Sequence, residues 1–222
     1  MKKGQEIEFV FEQGISQKDF YIENAKLNIQ ELNGLFPSPP NSIVVNVFQK
    51  KKSFLRAVHK RKIPDWFIAC VLKNNTSHIY VFNDKEKLTE KQEAIYRQVL
   101  LHEITHLYTN KLNPRLPDWL KEGISVYIAA QIFRPSVSSA DWKKIAPKDA
   151  PFARMSWGRA VEHNGYSIAG LLVMFFVRKY GWKKFIATVR DFNPETNTNE
   201  NVLALFEESA QLIDAFKKQF VK

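Results

Sequence analysis

The sequence predicts an α+β fold, a small N-terminal mixed β-sheet lobe packed on a mostly helical C-terminal lobe, with a functional site between the two. Three observations predict it. Short runs of β-branched and aromatic residues recur before residue 84, the apolar pattern switches to helical spacing after Asp84, and 45% hydrophobic residues with 13% aromatic ones can fill one good core in 222 residues. We therefore expect one domain over 1–222, β-rich over 1–84 and helical over 85–222.

Ile7 to Phe11 alternates apolar and acidic residues, as a half-buried strand does. Gln17 to Leu35 carries Phe20, Ala25, Leu27, Leu32 and Leu35 in a helix-like pattern, which the cluster Pro37-Ser38-Pro39-Pro40 ends. Ile43 to Phe48, Trp66 to Leu72 and His78 to Phe82 read as strands, the last two joined by a hairpin turn at Asn74-Asn75-Thr76-Ser77. Helices follow near 88–110, 117–133, 164–180, 182–191 and 200–220. Ile168 to Val177 holds ten residues without a polar side chain, half of what a bilayer span requires, and so reads as a buried helix. Arg134 to Pro151, with three prolines, reads as the longest loop and as a border of the cleft.

The formal net charge is +10, with runs at Lys50-Lys51-Lys52 and Lys60-Arg61-Lys62. Such an excess attracts anionic partners, but no nucleic-acid module accompanies the runs, and a solvated basic face is the simpler account. Nothing predicts a transmembrane segment or a signal peptide, since Gly4-Gln5-Glu6-Ile7-Glu8 interrupts any apolar stretch after the first lysines. We expect a cytoplasmic monomer. The single cysteine, Cys70, excludes an intramolecular disulfide and leaves His and carboxylates to hold any metal. Cys70 reads as a core residue, and His59 and His78 as structural.

His102-Glu103-Ile104-Thr105-His106 carries the chemistry. Residues four apart share a helix face, so His102 and His106 can offer imidazole nitrogens to one ion. Glu103 projects about 100° round the helix from His102, beside the ion, where a base can take a proton from water without being a ligand. Zinc with three protein ligands keeps a fourth position for water and lowers its pKa toward about 7. With five His and fifteen Glu in the chain, the pattern arises by chance in under about one such chain in a hundred. It also falls inside a helical pattern carrying Ile95, Val99, Ile104, Leu107 and Tyr108.

Together with Leu116-Pro117-Asp118-Trp119-Leu120-Lys121-Glu122-Gly123 downstream, this motif resembles the gluzincin metallopeptidases, most closely the peptidase MA-like family. The resemblance covers about residues 40 to 215, strongly only 100 to 128. It implies a zincin-like fold, Glu122 as the third zinc ligand, and an edge strand of the sheet that pairs with extended substrate, for which His78 to Phe82 is the candidate. Tyr166-Ser167 and the run to Tyr180-Gly181 also match. By resemblance Tyr166, with His163 as the alternative, helps stabilise the oxyanion; the plainer reading packs Tyr166 at the start of a core helix. Asp118 reads as an N-cap or first-turn acid and Trp119 as a packing residue.

Two features depart from the family. The acidic residue expected four positions after the ligand Glu, which orients a zinc-binding His, is Val126 here. Fifteen residues separate His106 from Glu122, fewer than in thermolysin-like enzymes, so Thr109 to Pro117 must turn tightly, as Pro114 and Pro117 allow. The expected function is zinc-dependent hydrolysis of peptide bonds in a peptide or protein substrate. The alternatives are a non-catalytic zincin that binds peptides, which gives Glu103 no use, and a basic protein that binds nucleic acid or a membrane surface.

Overall fold

The first half of the computed structural model runs β1 (Glu6–Phe11), α1 (Lys18–Leu35), β2 (Ser42–Phe48), α2 (Lys51–Ala57), β3 (Ala69–Val71), β4 (His78–Phe82) and α3 (Glu90–Leu112). The second half runs α4 (Asp118–Ile128), α5 (Ser139–Ile145), α6 (Trp157–Val161), α7 (Gly165–Tyr180), α8 (Trp182–Arg190) and α9 (Ser209–Phe220). The structure describes all residues except 1–4, 73–76, 133, 148–150, 153–154, 194 and 196–208, and the side chains of 209–210. The chain is a mixed α/β protein, a small four-stranded sheet with a mostly helical body. It forms two compact units, Met1–Leu112 and Asn113–Lys222, so α3 belongs with the sheet.

In the first unit the strand order is β1-β2-β4-β3. β1 runs parallel to β2 with Phe9 opposite Val45, and β2 parallel to β4 with Val45 opposite Ile79. A parallel pair needs a crossover, and α1 supplies the one between β1 and β2. Only β3 is antiparallel, with Cys70 opposite Tyr80. The register puts Ile43, Val45, Val47, Ile79 and Val81 on one face, all buried. α1 buries Tyr21, Ala25, Ile29 and Leu32, one stripe at helical spacing, and packs along α3. The opposite face receives α2, where Phe54, Val58 and Ile63 form a cluster with Phe48, Tyr80 and Phe82. Burying Phe54 alone contributes about 1.5–3 kcal/mol.

Polar contacts pin these elements. Tyr108 on α3 donates from its hydroxyl to Asn33 Oδ1 (2.8 Å) and accepts from Gln5 Nε2 (3.3 Å), while Asn33 Nδ2 donates to Gln5 Oε1 (3.1 Å). This closed triangle ties α3 to α1 and to the start of β1. Tyr96 donates to the Phe82 carbonyl at the end of β4 (2.9 Å). Glu12 Oε2 accepts from the amides of Gln49 and Lys50, both 2.8 Å, just before α2. Partial burial opposes the Glu12 charge, but the Ser53 hydroxyl and these amides outweigh it and hold the carboxyl below its ordinary range.

In the second unit α4 packs closely on α7. Glycines permit it: a Cβ on Gly123 would meet the Ala169 carbonyl oxygen at 2.7 Å, and one on Gly170 would meet Val126 Cγ1 at 2.5 Å. Phe216 of α9 packs against Trp142 (5.2 Å between rings) and Phe175 (5.8 Å). The carboxyl-terminal residues pair with the segment before α5, the Val137 amide donating to Phe220 O (2.8 Å) and the Lys222 amide to Val137 O (2.9 Å).

Several expectations change. His78 to Phe82 is not an edge strand: β4 lies between β2 and β3, so both of its ladders are occupied, and the edges are β1 and β3. Trp66 to Leu72 contributes only Ala69–Val71 as strand, because Asp65 and Trp66 form a turn after Pro64. The Lys50 run opens a helix, α2, that its charges concealed. The supposed loop Arg134 to Pro151 contains α5, whose N-cap Ser138 accepts from the Asp141 amide (3.0 Å). α6 was likewise unforeseen, and α4 ends at Ile128 rather than near 133. The hairpin-turn residues 74–76 and the start of the 200–220 helix lie outside the described residues.

Candidate metal centre

α3 begins with a capping box. Thr89 Oγ1 accepts from the Gln92 amide (3.4 Å), and Gln92 Oε1 accepts from the Thr89 amide (2.9 Å). Its first turns carry Glu90, Glu93 and Arg97 toward solvent, whereas Leu100 and His102 to Thr105, then Leu107 to Thr109, are buried. The two buried threonines satisfy their hydroxyls within the helix, Thr105 on Leu101 O (2.7 Å) and Thr109 on His106 O (3.0 Å). A stretch buried on nearly every side would ordinarily be apolar throughout. Here it holds two imidazoles and a carboxylate.

His102 Nε2 and His106 Nε2 face each other at 3.1 Å, their rings 4.7 Å apart and nearly perpendicular. Zinc–nitrogen bonds of about 2.0–2.1 Å at tetrahedral angles put two ligand nitrogens about 3.3 Å apart, so this pair has the spacing one ion requires. Glu122, half-buried in the second turn of α4, is the third member: one ligand atom from each of His102, His106 and Glu122 lies within 4.8 Å of the other two. Two nitrogens and one carboxylate oxygen with no thiolate form the donor set of a three-ligand zinc site. The residues present fit the metal.

The local sequence explains where Glu122 stands. Asn113 Oδ1 accepts from the Arg115 amide (3.0 Å), Leu116 closes a turn on Asn113 O (3.4 Å), and α4 starts after Pro117. Asn113 Nδ2 also faces the carbonyls of Val189, Arg190 and Phe192 at 2.8–3.2 Å, which fixes the turn to the end of α8. Lys121 Nζ donates back to Pro114 O (2.8 Å). Asp118 is the first helical residue of α4 rather than its N-cap, which is Pro117. Trp119 is buried and stacks on Phe152 at 5.2 Å, a packing residue as expected.

Glu103 is buried on α3, and α3 packs on the edge strand β3. The Cys70 thiol on that strand registers its charge: burial first, and then the Glu103 carboxylate, push its pKa up to about 12. Such a thiol stays protonated at neutral pH and is a poor nucleophile, and the ligand atoms that converge are those of His102, His106 and Glu122. Cys70 is half-buried against the α2 cluster rather than fully in the core.

Tyr166 lies in the first turn of α7, half-buried, its ring edge-to-face on Trp157 at 5.0 Å. His163 precedes α7 with Nδ1 3.9 Å from Asp141 Oδ1, and Asn164 donates to the same carboxylate. Val126, at the position where the resemblance to gluzincins leads one to expect an orienting acid, is buried against Gly170. It packs two helices together, and a carboxylate in its place would be buried against apolar neighbours. His59 occupies a helix-terminating turn (φ 54°), and His78 sits 3.4 Å from Asn46 Nδ2 and stacks on Tyr80, both structural settings. The sequence missed Asn113, because its role depends on carbonyls more than seventy residues away. No protein-family model, curated protein or solved structure matches the chain.

Proposed function

We propose that the protein is a zinc-dependent peptide hydrolase of zincin type, in which His102, His106 and Glu122 hold the metal. The observation that carries this reading is the convergence of those three ligand atoms, with the two Nε2 atoms 3.1 Å apart, on a helix that also buries Glu103. Bound zinc would polarise the scissile carbonyl and acidify a water. Glu103 accepts the proton of the attacking water and returns it to the leaving amine nitrogen. A structural zinc site is closed by four ligands and has no use for such a base, whereas three ligands leave a position for chemistry. Tyr166 donates from its hydroxyl to the carbonyl oxygen as charge develops there. His163, which faces Asp141, is the alternative for this role.

Extended substrate pairs with β3. Its outer edge faces no other strand among the described residues, and it packs on the helix that carries Glu103. Backbone hydrogen bonds along such an edge hold a peptide with little demand on its sequence.

The test is peptide-library cleavage read by mass spectrometry, zinc-loaded wild type against Glu103→Ala. Loss of a general base slows cleavage by about 10²- to 10⁴-fold, while the zinc content is unchanged. Equal cleavage by the two proteins contradicts the reading.

A further inference from the structure

The basic charge is concentrated in one place. Residues 50–66 hold Lys50, Lys51, Lys52, Arg56, Lys60, Arg61 and Lys62 against Asp65, a net +6, whereas the other 205 residues share +4. All seven cations are exposed. They lie on α2 and the turn after it, within the first unit. Each of the two runs reaches the segment 65–67 that follows them. Lys51 Nζ reaches Asp65 Oδ1 (3.5 Å), and Lys60 Nζ lies over the Phe67 ring (5.7 Å), which touches Trp66 edge-on (6.1 Å). Trp66, between Asp65 and Phe67 in the chain, is 62% exposed.

This arrangement works against stability. Lysines at a helix start oppose the macrodipole, and Lys52 and Arg56 repel one another at a spacing of four. Glu12 and Asp65 offset only part of that. A Trp this exposed gains little from folding, yet an indole gains from the headgroup region of a bilayer, the environment in which it is enriched.

We propose that this face docks the protein on an anionic lipid bilayer, with Trp66 inserted at the headgroup level and Lys52, Arg56, Lys60, Arg61 and Lys62 against the lipid phosphates and carboxylates. Reversible surface attachment takes two weak signals, a basic cluster and one apolar anchor, and both are present side by side. A single-stranded nucleic acid is held by successive aromatic platforms along a groove, and this face offers one exposed ring. No helix among the described residues is long and apolar enough to cross a membrane. This inference is independent of the metal site.

The experiment is sedimentation of the full chain with phosphatidylcholine vesicles, with and without about one-third phosphatidylserine, in low and high salt. The wild type is expected to sediment only with the anionic vesicles and to be released by salt. Lys60→Gln with Arg61→Gln and Lys62→Gln weakens binding by about a hundredfold, near fivefold per cation. Trp66→Ala weakens it by about tenfold while the melting temperature stays unchanged. Failure of the wild type to bind anionic vesicles overturns the proposal. So does a Trp66-dependent affinity for a labelled oligouridylate in place of vesicles, which would make the face a nucleic-acid platform.

Discussion

Ala130 adopts φ 52° after α4, where the Gln131 amide bonds Val126 O (2.9 Å) and the Ala130 amide bonds Tyr127 O (3.3 Å). This is a Schellman termination, and its left-handed position favours glycine, since a Cβ there costs about 1–2 kcal/mol. His59 does the same after α2, with Lys60 bonding Leu55 O (3.0 Å). Ala130→Gly is therefore expected to raise stability by about 0.5–1 kcal/mol in urea unfolding, after the entropy that glycine loses on folding. A lower midpoint would mean the helix end is held by something other than this turn. His102, Glu103 and His106 are legible in the sequence because four-residue spacing on a helix is a local property. The triangle of Gln5, Asn33 and Tyr108 is not, because it joins positions 103 residues apart through geometry that only the folded chain creates.

Among the elements, α4 and α7 meet through Gly123 and Gly170, and Gly123 directly follows Glu122. The Glu-Gly pair is thus one device: the carboxylate offers a ligand while its neighbour lets the helix seat on α7. Gly123→Ala drives a methyl group into the Ala169 carbonyl, for which we expect a loss of about 1–3 kcal/mol by thermal unfolding together with weaker metal binding. Unchanged stability would show that the two helices separate easily there. The strands and the long helices follow from apolar periodicity, which is why β1, β2, β4, α1, α3 and α7 stand close to where the sequence puts them. α2, α5 and α6 span seven residues or fewer and present too few turns for a pattern to emerge. Strand order is not written in the strands at all. β4 reads as readily as an edge as a centre, and only its pairing with both β2 and β3 decides.

For the whole molecule, the chain concentrates two costly features, ionisable groups buried on α3 and like charges crowded on α2. A protein selected for stability alone would keep neither. The first is the proposed metal centre and the second the proposed lipid surface. The most direct test of the account is zinc per chain, measured by elemental mass spectrometry on protein prepared without a chelator or a histidine tag, beside Glu122→Ala. We predict about one zinc per chain in the wild type and a clear loss in the variant, because removing one of three ligands weakens the site. No zinc in the wild type after incubation with the metal, or equal zinc in both proteins, would contradict the three-ligand site and the hydrolase built on it.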